Sequence, residues 1–315
     1  MAATVVNALV MSAGGARGAF ELGVIDYLIR VLRLDFQVIT GVSVGAIKAT
    51  LLAQGAGHSG LIEALDKLED IWFSIKSDRD IFLKRGPARL IDLPTFMDDL
   101  LGGLFHNSIY DLSPLAQKIN ALISPEALRN SGVELRVGVA SLNTGEYIAV
   151  TQDFPDIERY VLASASIPFF FPPVLIDGQL YVDGSVRSIT PLKDAFEALR
   201  KIHRPGNEYR LFVVLASPLT MDPVSDLKRL KTPASILQRA ADIMVSEIFN
   251  NDLEYARAIA AQVKGAKRKD RLYAEIIVFE PKQVYLGPLE FDPKKIRSAF
   301  TAGIQRAQEV TRHMH

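Results

Sequence analysis

The sequence predicts an α/β fold of three layers, with a mostly parallel central sheet between helices and a small helical cap or insertion. Three observations carry that expectation. Near-continuous apolar runs such as Val5–Met11 have the character of strands covered on both faces, as in a parallel sheet. Segments with apolar residues at helical spacing alternate with them, which is the rhythm of βα units. Glycine-rich turns stand between strand and helix twice, at Gly14–Gly18 and at Gly41–Gly45.

Taken in order, the strand Val5–Met11 is followed by the first glycine turn and a helix over about Ala19–Arg33, with Phe20, Val24, Tyr27, Leu28 and Val31 on one face. A second strand, Phe36–Thr40, enters the second glycine turn, and a helix runs from there to about Gln54. Gly55–Gly60 breaks the chain before an amphipathic helix over Leu61–Phe73. From Ser74 to Asn107 short apolar clusters (Ile81-Phe82-Leu83, Leu90-Ile91, Phe96-Met97, Leu100-Leu101, Leu104-Phe105) alternate with Gly, Pro and charge, the pattern of a cap beside the sheet. A helix near Leu115–Ile123 leads to strands Glu134–Ser141 and Glu146–Thr151 across Asn143-Thr144-Gly145. Ile157–Ala165 reads as a short helix ended by Pro168. Val174–Ile176 and Gln179–Val182 form a hairpin across Asp177-Gly178, two residues that tolerate positive φ. Pro191–Lys201 is a helix with proline at its first position. Leu211–Ala216 is a strand, Ala234–Val263 contains a long helix, Leu272–Phe279 is a strand and Pro293–Thr311 a closing helix. We expect a main domain over residues 5–216, an insertion at about 74–130, and residues 217–315 packing further helices and a strand on the same domain.

The chain has 315 residues, of which 49% are hydrophobic, so a sizeable core can be buried. Lys+Arg and Asp+Glu both number 36, and no global field points to nucleic acid or to an anionic membrane. The absence of cysteine excludes disulfides, thiol catalysis and cysteine-based zinc sites. No Lys or Arg precedes Arg17, so the apolar start lacks the charged region of a secretory signal. The longest uncharged run, Tyr160 to Ile176, is broken by Pro168, Pro172 and Pro173 and falls short of about 20 smooth apolar residues, so no membrane-spanning helix is expected. A cytoplasmic protein, at most peripheral to a membrane, is the expectation.

The chemistry-bearing residues begin with Gly41-Val42-Ser43-Val44-Gly45. Strand, sharp turn and helix in that order form the setting of a nucleophile elbow, with the Ser43 hydroxyl at a helix N-terminus that favours developing negative charge. The glycines Gly41 and Gly45 fit a turn too crowded for a Cβ. A serine nucleophile needs oxyanion donors and a base. Gly14-Gly15-Ala16-Arg17-Gly18 offers bare backbone N–H groups at a helix start. A dinucleotide fingerprint there would need glycine where Ala13 stands, and no Gly-Lys-Ser/Thr exists for a P-loop. The five histidines do not suit a triad: His58 and His106 lie in turns, His203 precedes a strand, and His313 and His315 end the chain. Asp183, directly after a strand and before Gly184, is placed like a base. The same residues also read as a plain Asp-Gly turn, as Asp177-Gly178 does.

These blocks together resemble the patatin-like phospholipase family, bacterial serine lipid acyl hydrolases. Gly14–Gly18 resembles its oxyanion loop, Gly41–Gly45 its elbow and Asp183-Gly184-Ser185 its Asp-Gly-Gly/Ala element. Ala163-Ser164-Ala165-Ser166-Ile167-Pro168, with Phe171-Pro172-Pro173-Val174, resembles the stretch that precedes the family's aspartate. The similarity covers roughly Val5 to Ala195. It implies a Ser43–Asp183 dyad, an oxyanion hole from Gly14, Gly15, Ala16, Arg17 and Gly18, and supporting roles for Gly184 and Ser185. It implies no metal and no cofactor, with a lipid or phospholipid as substrate, and is compatible with peripheral membrane contact. Ala13 and Ser185 depart from the family pattern, and the Ser185 hydroxyl is placed to tune Asp183. Arg17 reads as a phosphate contact or, preferably, as a partner of a carboxylate on its own helix. The apolar clusters of the insertion suit an acyl pocket or an ordinary cap core. The basic run Lys264, Lys267, Arg268, Lys269 and Arg271 suits anionic lipid or, preferably, a solvated loop. Competing readings are a small-ester carboxylesterase or thioesterase, and a non-catalytic lipid-binding protein on the same fold.

Overall fold

The computed structural model describes residues 4–85, 108–220 and 274–312, with 231, 236, 239–240, 243–244, 246–248 and 250–254 between them. The apolar clusters expected between Leu90 and Phe105, His106, most of the helix expected at Ala234–Val263, the basic run from Lys264 to Arg271, and His313 and His315 lie outside the described residues.

The strands are β1 (Val5–Met11), β2 (Val38–Val42), β3 (Leu83–Lys84), β4 (Tyr110–Asp111), β5 (Glu134–Ser141), β6 (Tyr147–Val150), β7 (Val174–Ile176), β8 (Gln179–Asp183), β9 (Glu208–Val214) and β10 (Ala274–Phe279). The helices whose full extent is described are α1 (Gly18–Asp26), α2 (Val44–Leu52), α3 (Gly57–Ser74), α4 (Ser113–Leu122), α5 (Pro125–Asn130), α6 (Ile157–Ser164), α7 (Leu192–Lys201) and α8 (Pro293–Thr311). The main sheet runs β10-β9-β1-β2-β5-β8-β7, with β6 also on β5. Its first five strands are mutually parallel, and β6, β8 and β7 add antiparallel pairs.

The apolar runs are continuous because both sheet faces are covered. On β1, Leu9 and Met11 enter one core with Phe20, Ile25 and Leu52 of α1 and α2, while Val6, Ala8 and Val10 enter the other with Leu192, Phe196 and Leu199 of α7. This period-two division makes the three layers. Strand β10 joins the edge at β9. Helix α8 starts from Asp292, whose side chain accepts from the N–H groups of Lys294 and Lys295, with Pro293 in its first turn. It lies so close to α1 that a Cβ on Gly303 would come within 2.1 Å of the Phe20 carbonyl oxygen.

Several boundaries differ from expectation. The first helix, expected to Arg33, ends as α-helix at Asp26 and continues as a π-type turn over Tyr27–Val31. The ninth strand is Glu208–Val214 rather than Leu211–Ala216, because its pairing with β1 begins at Val5 and already takes in polar Glu208 and Arg210. Pro191 caps α7 from outside instead of beginning it. The Asp177-Gly178 turn has φ of 48° and 77°, the left-handed pair the hairpin needs. In the insertion, the described residues form the two-stranded β3–β4 pair and helices α4 and α5.

One feature of register sets the site. Strand β5 carries β6 along one edge, pairing Val137↔Val150, Gly138↔Ala149 and Val139↔Ile148. Its other edge takes β2 as far as Val42↔Gly138 and then β8 from Val139↔Asp183 onward. Parallel β2 and antiparallel β8 therefore run toward each other along one edge of β5. The residue after Val42 and the last residue of β8 meet there.

Candidate active site

Those two residues are Ser43 and Asp183. Ser43 has φ 59° and ψ −128°, a strained conformation for a residue with a Cβ that costs on the order of 1–3 kcal/mol. The close approaches around it explain both glycines. A Cβ on Gly41 would lie 2.2 Å from the Gly45 carbonyl oxygen, and one on Gly45 would lie 2.6 Å from the carbonyl oxygens of Met11 and Ser12. The elbow is thus wedged between its own helix and the end of β1. The Ser43 N–H donates to Ser164 Oγ at 2.9 Å.

Asp183 is fully buried. Its Oδ1 accepts from the Ser185 N–H at 2.8 Å, while Oδ2 has no hydrogen-bond partner. Burial pushes this carboxyl up to about 6, opposed by the Ser43 hydroxyl and by the N–H and hydroxyl of Ser185. The Ser43 hydroxyl therefore acts on the carboxylate without completing a hydrogen bond to Oδ2. A loose pair of this kind is common for catalytic groups before substrate closes the site.

The glycine turn lies beside them at the end of β1. Gly15 has φ 56° and packs against Pro288, whose carbonyl oxygen would be 2.1 Å from an added Cβ. Three of the five donors expected here are already bonded: Ala16 N–H to Pro288 O at 2.8 Å, Arg17 N–H to Gly14 O at 3.2 Å, and Gly18 N–H to the Ala16 and Gly15 carbonyls. The donor set of the expected oxyanion loop narrows accordingly. Gly14 and Gly15 have no backbone N–H bond among the described residues, and Val44 N–H, at the start of α2, has no helical partner of its own. Arg17 donates to Leu286 O at 3.2 Å and to Ser217 Oγ at 3.1 Å.

Behind the loop sits a buried ion pair. Lys48 Nζ on α2 bonds Glu21 on α1 and the Gly18 carbonyl at 3.0 Å. Glu21 Oε1 accepts from Ser12 N at 2.9 Å and Ser12 Oγ at 3.0 Å, and Ser12 Oγ accepts from Ala216 N at 2.9 Å. Burial pushes Glu21 up and Lys48 down, each against the other's attraction. The pair ties the elbow helix to the helix that follows the glycine loop.

Two spaces open at Ser43, both bounded by Gly15, Ile167, Pro288 and Leu289. One is an apolar slot between α2, α3 and α4, walled by Ile47, Leu51, Trp72, Leu115, Phe171 and Phe291. The other is more polar and is lined by Asp183, Ser185, Arg17, Ser217 and Glu290. His58 and His203 line neither. His58 Nδ1 contacts Asp35 at 2.7 Å, and His203 Nδ1 contacts the Tyr209 hydroxyl at 3.0 Å. Among the described residues no group of three or more His, Asp or Glu side chains is placed to hold a metal ion, and no helix is long and apolar enough to cross a membrane.

Sequence reasoning missed three participants. A lysine inside Ala46–Ala53, otherwise the composition of a buried helix, was a signal for the ion pair. Ser164 stood within a quoted block but without an assigned role. Nothing in the sequence pointed to the Gly287-Pro288-Leu289 strap.

Among known proteins, residues 9–196 match the family model described as patatin-like phospholipase. The chain is similar to the crystal structure of VipD from Legionella pneumophila, at 13% identity and a TM-score of 0.44, covering 97% of this chain and 66% of that one. It is also similar to the heterodimeric ExoU–SpcU complex from the type III secretion system of Pseudomonas aeruginosa, at 13% identity and a TM-score of 0.36, covering 99% of this chain and 52% of that one. The chain thus spans between half and two thirds of the length of these matched chains.

Proposed function

Since the chain belongs to the patatin-like phospholipase family, we propose that it is a serine hydrolase that cleaves acyl esters of phospholipids or related lipids through a Ser43–Asp183 dyad. The observation that carries this reading is the end-to-end meeting of Ser43 and buried Asp183 on one edge of β5, beside the unbonded N–H groups of Gly14 and Gly15.

The Ser43 hydroxyl oxygen attacks the ester carbonyl carbon while its proton passes to Asp183 Oδ2, the carboxylate oxygen that has no hydrogen-bond partner. The carbonyl π electrons move onto oxygen, and the N–H groups of Gly14, Gly15 and Val44 receive the oxyanion. Collapse breaks the bond to the alcohol, which leaves with the proton from Asp183, and Ser43 holds the acyl group. Water then attacks, Asp183 takes its proton and returns it to Ser43, and the fatty acid departs. A carboxyl held at about 6 is a better match to neutral pH than one near its ordinary value. General-base action contributes about 10²–10⁴-fold, and each oxyanion donor about 10²–10³-fold. The apolar slot suits the acyl chain and the polar space suits the head group, with Arg17 at its wall.

The test compares wild type, Ser43→Ala and Asp183→Ala in fluorophosphonate labelling and in hydrolysis of nitrophenyl esters of graded chain length. Labelling at Ser43 and long-chain hydrolysis, both lost in Ser43→Ala, are expected. A wild-type protein that is neither labelled nor active is a lipid-binding relative instead, and a short-chain preference makes it a small-ester esterase.

A further inference from the structure

We propose that Ser164 is a positioning residue for the dyad, fixing where the Ser43 hydroxyl stands relative to Asp183. The inference rests on the reading of Ser43 as nucleophile and Asp183 as base. Ser164 is completely buried at the last turn of α6 and lines neither of the two spaces at Ser43. Its hydroxyl donates to Gly138 O at 2.7 Å and accepts from Ser43 N at 2.9 Å. A serine hydroxyl has one proton, so with that proton on Gly138 the oxygen facing Ser43 can act only as acceptor.

The arrangement replaces a rung of the sheet. The β2–β5 ladder ends at Val42↔Gly138, where the chain turns sharply into the elbow. Ser164 Oγ is interposed between the next N–H, that of Ser43, and the Gly138 carbonyl. A side chain thus continues the ladder across the strained residue. The same short segment also holds the other member of the dyad, because Ser166 O accepts from Asp183 N at 3.0 Å. Gly184 completes the clasp: a Cβ there would be 2.5 Å from the same Gly138 oxygen. Ser164, Ser166 and Gly138 are therefore a common reference for both residues.

An ordinary helix-end role is disfavoured by the bonds themselves. A serine that merely satisfies its own helix bonds the carbonyl four residues back. Ser166 does this, donating to Leu162 O at 2.9 Å, whereas Ser164 bonds two other elements.

The experiment measures kcat, KM, the rate of fluorophosphonate labelling and the melting temperature for wild type, Ser164→Ala, Ser164→Thr and Ser164→Cys. A displacement of roughly 1 Å at a reacting group is worth about 10²-fold in rate, so Ser164→Ala should lose about 10- to 100-fold in kcat and in labelling rate, with KM within about twofold. Ser164→Thr, which keeps the hydroxyl, should recover most of the loss. Ser164→Cys matches the volume with a poor acceptor and should behave like alanine, and it carries the test if the alanine variant does not fold. A folded Ser164→Ala or Ser164→Cys with wild-type kcat overturns the proposal, as does an equal loss in Ser164→Thr and Ser164→Ala, which would trace to packing. Wild-type protein that is unlabelled, or labelling that persists in Ser43→Ala, overturns the dyad reading instead.

Discussion

Ser43 and Asp183 abut along one edge of β5, because that edge pairs with Val42 through Gly138 and with Asp183 through the very next residue, Val139. Their approach is therefore a property of sheet register, and each is buried. The first prediction concerns pH. As the proposed base, Asp183 can accept a proton only when ionised, and burial holds its carboxyl up to about 6. The pH profile of kcat/KM should have an acid limb with its midpoint near that value. Ser185→Ala removes a hydroxyl that favours the charged form, so it should move the limb to higher pH. A limb unmoved by Ser185→Ala and centred near 4 would contradict this assignment.

The same burial has a cost in stability. Asp183 has a folded-state value of about 6 against an ordinary 3.8, so between these values the folded protein binds the extra proton. Stability from this group is present below about pH 4 and is lost as pH rises through about 6. At about 1.4 kcal/mol per unit, the loss is on the order of 3 kcal/mol above pH 7. Asp183→Asn should therefore abolish turnover while raising stability by about 1–3 kcal/mol at pH 8, with little gain at pH 4. Urea denaturation at the two pH values measures it, and an equal effect at both would sink the argument.

The strands were legible in the sequence because burial on both faces leaves a near-continuous apolar run, as in Val5–Met11 and Leu211–Val214. The elbow was legible because Gly41 and Gly45 mark close backbone approach on either side of a serine. The proposed oxyanion donors were less so: Ala16 N–H is taken by the Pro288 carbonyl, a contact between distant segments that leaves no local trace. The π-type turn at Tyr27–Val31 was hidden for a related reason, since its apolar spacing is close to that of an ordinary helix. Ser164 illustrates the general limit. A buried serine whose partners lie in the elbow and on β5 has the same letter as a serine in a loop.

Glu21 and Lys48 support a third prediction. Removing one member of a buried pair leaves an uncompensated charge, which destabilises by about 3–5 kcal/mol, whereas removing both leaves none. Lys48→Met alone should therefore be more damaging than Lys48→Met combined with Glu21→Gln. The pair also holds Ser12, just before the glycine loop, and the carbonyl of Gly18 at its end. The double variant should thus regain stability before it regains kcat. Denaturation and kinetics on the two single variants and the double variant give the cycle, and strict additivity would show that the charges do not act as a pair.

The apolar slot leads to the last prediction. Ile47 stands one helical turn after Ser43 on α2 and lines the slot near its opening at the serine. Enlarging it should obstruct the passage of a long chain while leaving the elbow, Asp183 and the glycine loop in place. Ile47→Phe should reduce kcat/KM for dodecanoyl or longer nitrophenyl esters by about 10-fold or more, since each methylene excluded from an apolar pocket is worth about 1–3 kcal/mol. Acetyl and butyryl esters do not extend past this position and should be hydrolysed at close to the wild-type rate. The ratio of long- to short-chain kcat/KM is the decisive quantity, because general damage lowers both terms together. A ratio unchanged by Ile47→Phe in a folded, active variant would mean that the acyl chain leaves Ser43 by the other space, past Arg17 and Ser217.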